Sequence, residues 1–165
     1  MFLASQACAA TSHAICARPA EIAAFDIAGL KSQLMVTALS CSMQNKYNAF
    51  VVRFRRSLVA EDHALNTYFG RAYGRTWRSK HDDYVTLLAN DESEQGTRQG
   101  TDFCRQNVSL FDEVLALPDP SALPSYAEGK NFPQPISLVA CPVVERHVRV
   151  RRRHAVTHKE ARASS

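Results

Sequence analysis

Hydrophobic residues recur along this chain at spacings of three and four, the period of an amphipathic α-helix. Ile27, Leu30, Leu34, Ala38 and Cys41 form one such stripe, with Asp26 placed as its N-cap and Pro19 with Glu21 marking a short turn before it. Tyr47, Phe50, Phe54 and Leu58 form a second, flanked by Val51, while Arg53, Arg55 and Arg56 lie on its other face. Asp62 is positioned to cap a third helix through Leu65, Tyr68, Phe69, Ala72 and Tyr73, closed by Gly74. Ser79 opens a fourth with Tyr84, Val85, Leu87 and Leu88, which turns polar from Asn90 and runs out in the turn residues Gly96 and Gly100. Thr101 opens a fifth along Cys104, Val108, Phe111 and Leu115, stopped by Pro118 and Pro120.

Beyond these, residues 121–128 suit one short turn of helix, and Pro133, Pro135 and Pro142 punctuate an extended stretch. Ile136 to Val144 is apolar enough to lie across a core, but its prolines argue against a central strand. The pattern predicts an all-α protein, an irregular bundle of four to five helices. Its organisation is a helical domain over residues 15–143, a small apolar segment over 1–14, and a basic tail over 144–165.

The N-terminal segment reads as the remains of a signal peptide. Residues 1–14 are apolar and small, and both Ala7-Cys8-Ala9 and Ser12-His13-Ala14 suit a secretory cleavage site, although a basic leading region is missing. Five cysteines point the same way: Cys8, Cys16, Cys41, Cys104 and Cys141. Cleavage beyond Cys8 leaves four, an even number, with no C-x-x-C to suggest zinc or a redox pair. Cys41 and Cys104 each lie on the apolar stripe of a helix, and Cys16 and Cys141 flank the helical body. The favoured pairing is therefore Cys41–Cys104 and Cys16–Cys141, one of three open to four cysteines. The expected compartment is the periplasm or the exterior.

At 165 residues, with 45% hydrophobic and 22% charged, the composition is that of one globular domain. No run approaches the ~18 apolar residues of a membrane-spanning helix, so none is expected. The net charge of +4 conceals three blocks. Residues 46–80 hold eight Lys/Arg against two acids, and residues 81–128 hold ten acids against two Arg. Neutralisation of one block by the other across a helix contact is the simplest expectation. The tail holds seven Lys/Arg against two Glu, a net +5.

Several strings resemble a family of small, uncharacterised exported proteins of Gram-negative bacteria. They are Leu30-Lys31-Ser32-Gln33-Leu34-Met35, Tyr47-Asn48-Ala49-Phe50, Tyr68-Phe69-Gly70-Arg71-Ala72-Tyr73-Gly74, His81-Asp82-Asp83-Tyr84 and Phe103-Cys104. The resemblance covers about residues 16–141. It implies an exported helical protein and no particular activity.

Candidate chemistry is sparse. His81 and Asp82, with His63 upstream, could hold a divalent metal for hydrolysis, but adjacent helical residues point about 100° apart. Asp82 and Asp83 also suit the first turn of a helix, where acids favour the dipole. Neither Gly70…Gly74 nor Gly96…Gly100 is a phosphate loop, and no serine sits in a Gly-x-Ser-x-Gly elbow. Asn107-Val108-Ser109 matches a glycosylation sequon within a helical run. Tyr68, Tyr73 and Trp77 among Arg71, Arg75 and Arg78 could stack on sugars or bases, or could serve the core while the arginines pair with acids. Arg151, Arg152 and Arg153 could bind an anionic lipid surface or nucleic acid. The favoured function is a non-enzymatic module of the cell envelope, without a cofactor, that binds another envelope component or an anionic surface. Its rivals are a small metal-dependent hydrolase using His63, His81 and Asp82, and a cytosolic nucleic-acid-binding protein led by the tail.

Overall fold

The first apolar stripe becomes the central helix, α1 (Pro19–Ser40), in a computed structural model that describes residues 15–142. It begins seven residues before the expected cap. Pro19 supplies a pre-set φ at the first helical position, and the Glu21 carboxylate accepts the Arg18 N–H at 2.8 Å. Asp26 is therefore interior to α1 and caps nothing. The helix buries side chains on every face, as a helix surrounded by others must. By length and composition it qualifies as a membrane-crossing helix, but 67% of that stretch is buried within the fold, consistent with the expectation of no membrane-spanning segment. That is the behaviour of a core helix.

α1 divides the interior into two clusters. Ile27, Leu30, Leu34 and Ala38 pack against Phe50 and Phe54, together with aromatic and aliphatic residues from later helices. Phe25 and Ala28 pack against Leu65, Tyr68, Phe69, Tyr84 and Leu88. The rings of Tyr68 and Tyr84 meet Phe25 edge-on at 5.0 and 5.2 Å, a favoured aromatic arrangement.

The second stripe spans a break. α2 (Gln44–Arg53) and α3 (Arg55–Tyr73) are separated by the single residue Phe54, which is fully buried. α3 thus starts before Asp62, which lies exposed inside it rather than at its cap. Gly74 closes α3 as expected and opens a single 3-10 turn to Thr76. α4 (Trp77–Gln99) starts before Ser79 and runs on through the polar stretch after Asn90. The expected turn at Gly96 is helix instead, because Gly96 faces the ring of Phe103 and Glu92 faces inward. Gly100, at φ +57°, makes the real stop.

The fifth stripe is split at Val108 into α5 (Asp102–Asn107) and α6 (Ser109–Leu115), and α7 (Leu123–Lys130) follows a 3-10 turn at Pro120–Ala122. Taken across the two single-residue breaks, the described residues form five helical segments: an all-α bundle, as the pattern predicts. Residues 131–142 then cross α1 without forming a strand. Phe132 packs on the first cluster, and Ile136 and Leu138 on the second. A Cβ on Gly29 would sit 2.7 Å from Phe132 Cβ, so the crossing needs glycine there. Gln134 donates to Phe25 O at 3.1 Å and accepts from Tyr84 O–H at 2.8 Å. One parallel bridge, Ala17 with Ala140, brings the two ends of the domain together. Disulfides join Cys16 to Cys141 and Cys41 to Cys104, the favoured pairing. Residues 1–14, expected to be the remains of a signal peptide, and the basic tail, with Arg151, Arg152 and Arg153, lie outside the described residues.

Candidate functional site

The histidine cluster does not assemble. His63 and Asp82 are exposed on α3 and α4, whereas His81 lies partly buried with its ring stacked on Phe69 at 5.2 Å. Burial holds the His81 imidazole below its ordinary pKa, with Asp62 and Asp82 opposing that shift. Among the described residues, no three His, Cys, Asp or Glu side chains are grouped to hold a metal ion.

The aromatic and arginine run also resolves into structure. Tyr68 is core, Tyr73 stacks on Phe69, and the Arg78 guanidinium lies 4.9 Å over the Trp77 ring. Arg71 donates to Glu21 at 2.5 Å and to Cys16 O at 3.2 Å, tying α3 to the start of the domain. The charged blocks neutralise one another less than expected. Lys46–Asp112, at 2.6 Å, joins them across elements, and Lys80–Asp83 does so within α4. The Asn107 amide of the sequon donates to Phe103 O at 2.8 Å and faces α1, so its nitrogen is already occupied.

The charged groups that the sequence reading missed are three buried glutamates. Glu21, Glu61 and Glu92 are each only 2–3% exposed. Glu61 accepts Lys31 Nζ at 2.8 Å on both oxygens, yet burial still raises its pKa. Glu92 has no cation beside it among the described residues, and burial with the charge of Asp91 pushes its pKa up to about 7. Its neighbour is the Gln33 amide, whose Nε2 donates to Asn107 Oδ1 at 3.1 Å and whose Oε1 rests against the Glu92 carboxyl. Reversing that amide would set two oxygens face to face at Asn107, whose own nitrogen is committed to Phe103 O. With the Gln33 amide assigned this way, the protonated form of Glu92 donates to Gln33, which agrees with its raised pKa. A signal for these residues existed. Glu92 continues Tyr84 and Leu88 at intervals of four, and Glu61 falls between Leu58 and Leu65.

The open surface that remains follows the N-terminal half of α1. Two adjoining grooves, of about 340 and 440 Å³, share Ala23 and Pro124. The larger is walled by Ala20, Ala24, Ala60 and Ala64, where small side chains leave room between α1 and α3. The smaller runs between α1 and α7, from Asp26 and Glu128 to Ala140 and Cys141. Burial, and then the charge of Glu128, raise the Asp26 carboxyl above its ordinary pKa. Neither acid has an ion-pair partner among the described residues.

No family model matches this chain, and no curated protein or solved structure is significantly similar to it.

Proposed function

We propose that this chain is an exported, disulfide-closed helical module of the cell envelope that binds another component there rather than turning over a substrate. The observation that carries the reading is the pair of disulfides. Cys16–Cys141 closes the described domain at both ends, and Cys41–Cys104 joins α1 to α5. Such bridges persist in oxidising compartments and are rare in the cytosol. The signal-like residues 1–14 and the resemblance to exported proteins support the same compartment. The non-enzymatic part rests on how the polar side chains are used. Glu21 and Glu61 are engaged with Arg71 and Lys31, Gln33 with Asn107, and the grooves are apolar-walled rather than lined by converging nucleophiles and bases.

The basic tail supplies a weak affinity for anionic surfaces. Vesicles containing phosphatidylglycerol should retain the full chain at low salt and release it as salt rises. Replacing Arg151, Arg152 and Arg153 with alanine should reduce retention several-fold, and equal retention would remove the tail from the proposal. The compartment is tested separately, by fractionating cells that express the full gene. Recovery with free thiols from the cytosol would overturn it.

A further inference from the structure

We propose that the groove between α1 and α7 is the docking site of the chain's own basic C-terminal segment, with Arg146 and Arg149 set against Asp26 and Glu128. The inference concerns that groove and holds independently of the compartment.

The argument starts from what the groove lacks. Asp26 and Glu128 share an apolar-walled space of about 340 Å³, where burial and then the charge of Glu128 raise the cost of charge on Asp26. No Lys or Arg lines this groove among the described residues, and Lys31 of α1, Arg71 of α3 and Lys130 of α7 pair instead with Glu61, Glu21 and Glu113. Arg18, at the start of α1, pairs with neither acid. The partly buried Asp26 carboxylate, beside Ile22 and Ala23 and with exposed Glu128 next to it, suits a ligand that brings positive charge and apolar side chains together.

The chain carries such a segment at the right place. Cys141 itself forms one end of the groove, and 23 residues follow Pro142. They hold seven Lys/Arg against two Glu, with Val143, Val144 and Val148 interleaved among the first arginines. At ~3.3 Å per extended residue, Arg146 reaches up to roughly 17 Å from Cys141. The groove follows α1 from Pro19 to Asp26, which is about 10 Å at 1.5 Å per residue. The geometry is therefore within reach. The other chain end adjoins the same groove through Ala17, but residues 1–14 contain no Lys, Arg, Asp or Glu and offer the two acids nothing. Charge selects the C-terminal segment.

Trypsin reads the docking directly, because an arginine held in a groove cannot enter the protease. In the full-length oxidised chain, cleavage after Arg146 and Arg149 should be about tenfold slower than in a synthetic peptide of residues 143–165, while cleavage after Lys159 and Arg162 should match the peptide. The double substitution Asp26→Asn with Glu128→Gln should raise the slow rates to the peptide value. High salt on the unmodified chain should do the same, which keeps the test independent of how the variant folds. Peptide-like cleavage at Arg146 in the unmodified chain would overturn the proposal. So would protection that survives both the substitutions and salt, since the tail would then pack elsewhere. Protection that grows with protein concentration would assign the groove to the tail of a second copy, and would equally overturn intrachain docking.

Discussion

Glu92 carries its proton into the fold, and that has a thermodynamic sign. Its folded pKa of about 7 lies above the ordinary carboxyl value of 4.5, so the folded state binds the proton more tightly than the unfolded chain does. The contribution of Glu92 to stability is full below pH ~4.5, falls as pH rises through 7, and is lost above that. The shift corresponds to at most about 3 kcal/mol across the window. Glutamine is the uncharged mimic of the protonated acid and can donate to Gln33. Glu92→Gln should therefore leave stability near pH 4.5 almost unchanged and make the variant the more stable protein at pH 8. Denaturant unfolding of both proteins at the two pH values checks this. A difference independent of pH would show that Glu92 is not the titrating group. His81 is a packing residue by the same kind of evidence. His81→Ala should cost about 1 kcal/mol through the lost stack on Phe69 and leave the metal content of the purified protein unchanged. Stoichiometric zinc lost on that replacement would restore the hydrolase.

At the scale of elements, two glycines separate a packing requirement from a propensity cost. Gly29→Ala drives a methyl into Phe132 Cβ and within 3.3 Å of Gln134 Nε2, prising residues 131–142 from α1. It should cost about 1–3 kcal/mol. Gly70 lies inside α3 with nothing within 4 Å of an added Cβ, so Gly70→Ala should instead stabilise the protein by up to about 1 kcal/mol. Thermal unfolding of the pair gives the contrast, and equal effects would refute it. The helices themselves were legible from period, as were the stop at Gly74 and the start at Thr101, but three other starts were not. Asp26, Asp62 and Ser79 all have N-cap chemistry, yet each lies inside a helix because packing along α1 rewards continuing it. The fourth helix, expected to run out at Gly96, continues to Gln99 because Glu92 faces Gln33 of α1 and Gly96 faces Phe103.

For the whole molecule, stability rests on two cross-links of different reach. Cys41–Cys104 spans 63 residues and Cys16–Cys141 spans 125. Loop-closure entropy assigns each about 4 to 5 kcal/mol. Cys41→Ser with Cys104→Ser should release α5 from α1 and lower the melting temperature. Cys16→Ser with Cys141→Ser should free the crossing segment beside the tail groove and leave the two core clusters in place. Circular dichroism melts of the two variants, with and without reductant, distinguish these effects. Alkylation of the unreduced wild type should find no free thiol among the four cysteines, and four labelled positions would sink the cross-linked fold.

From the sequence alone came the all-α class, the five apolar stripes and a preference among three cysteine pairings, because periodicity and the position of a cysteine on a stripe are local properties of the chain. The pairing itself needed the packed helices. The crossing of α1 by residues 131–142 was half visible, in the apolar run after Ile136. Other features belong to tertiary structure. Which acids would be buried, that Glu92 would face an amide instead of a cation, and that Asp26 and Glu128 would share one groove all depend on residues as much as 102 positions apart. A carboxyl's neighbours set its solvation, and no spacing along one helix names a partner on another. The grooves along α1 were hidden for the same reason. They are gaps beside small side chains of α1, bordered by α3 on one side and α7 on the other, and a gap exists only once the helices that border it have packed.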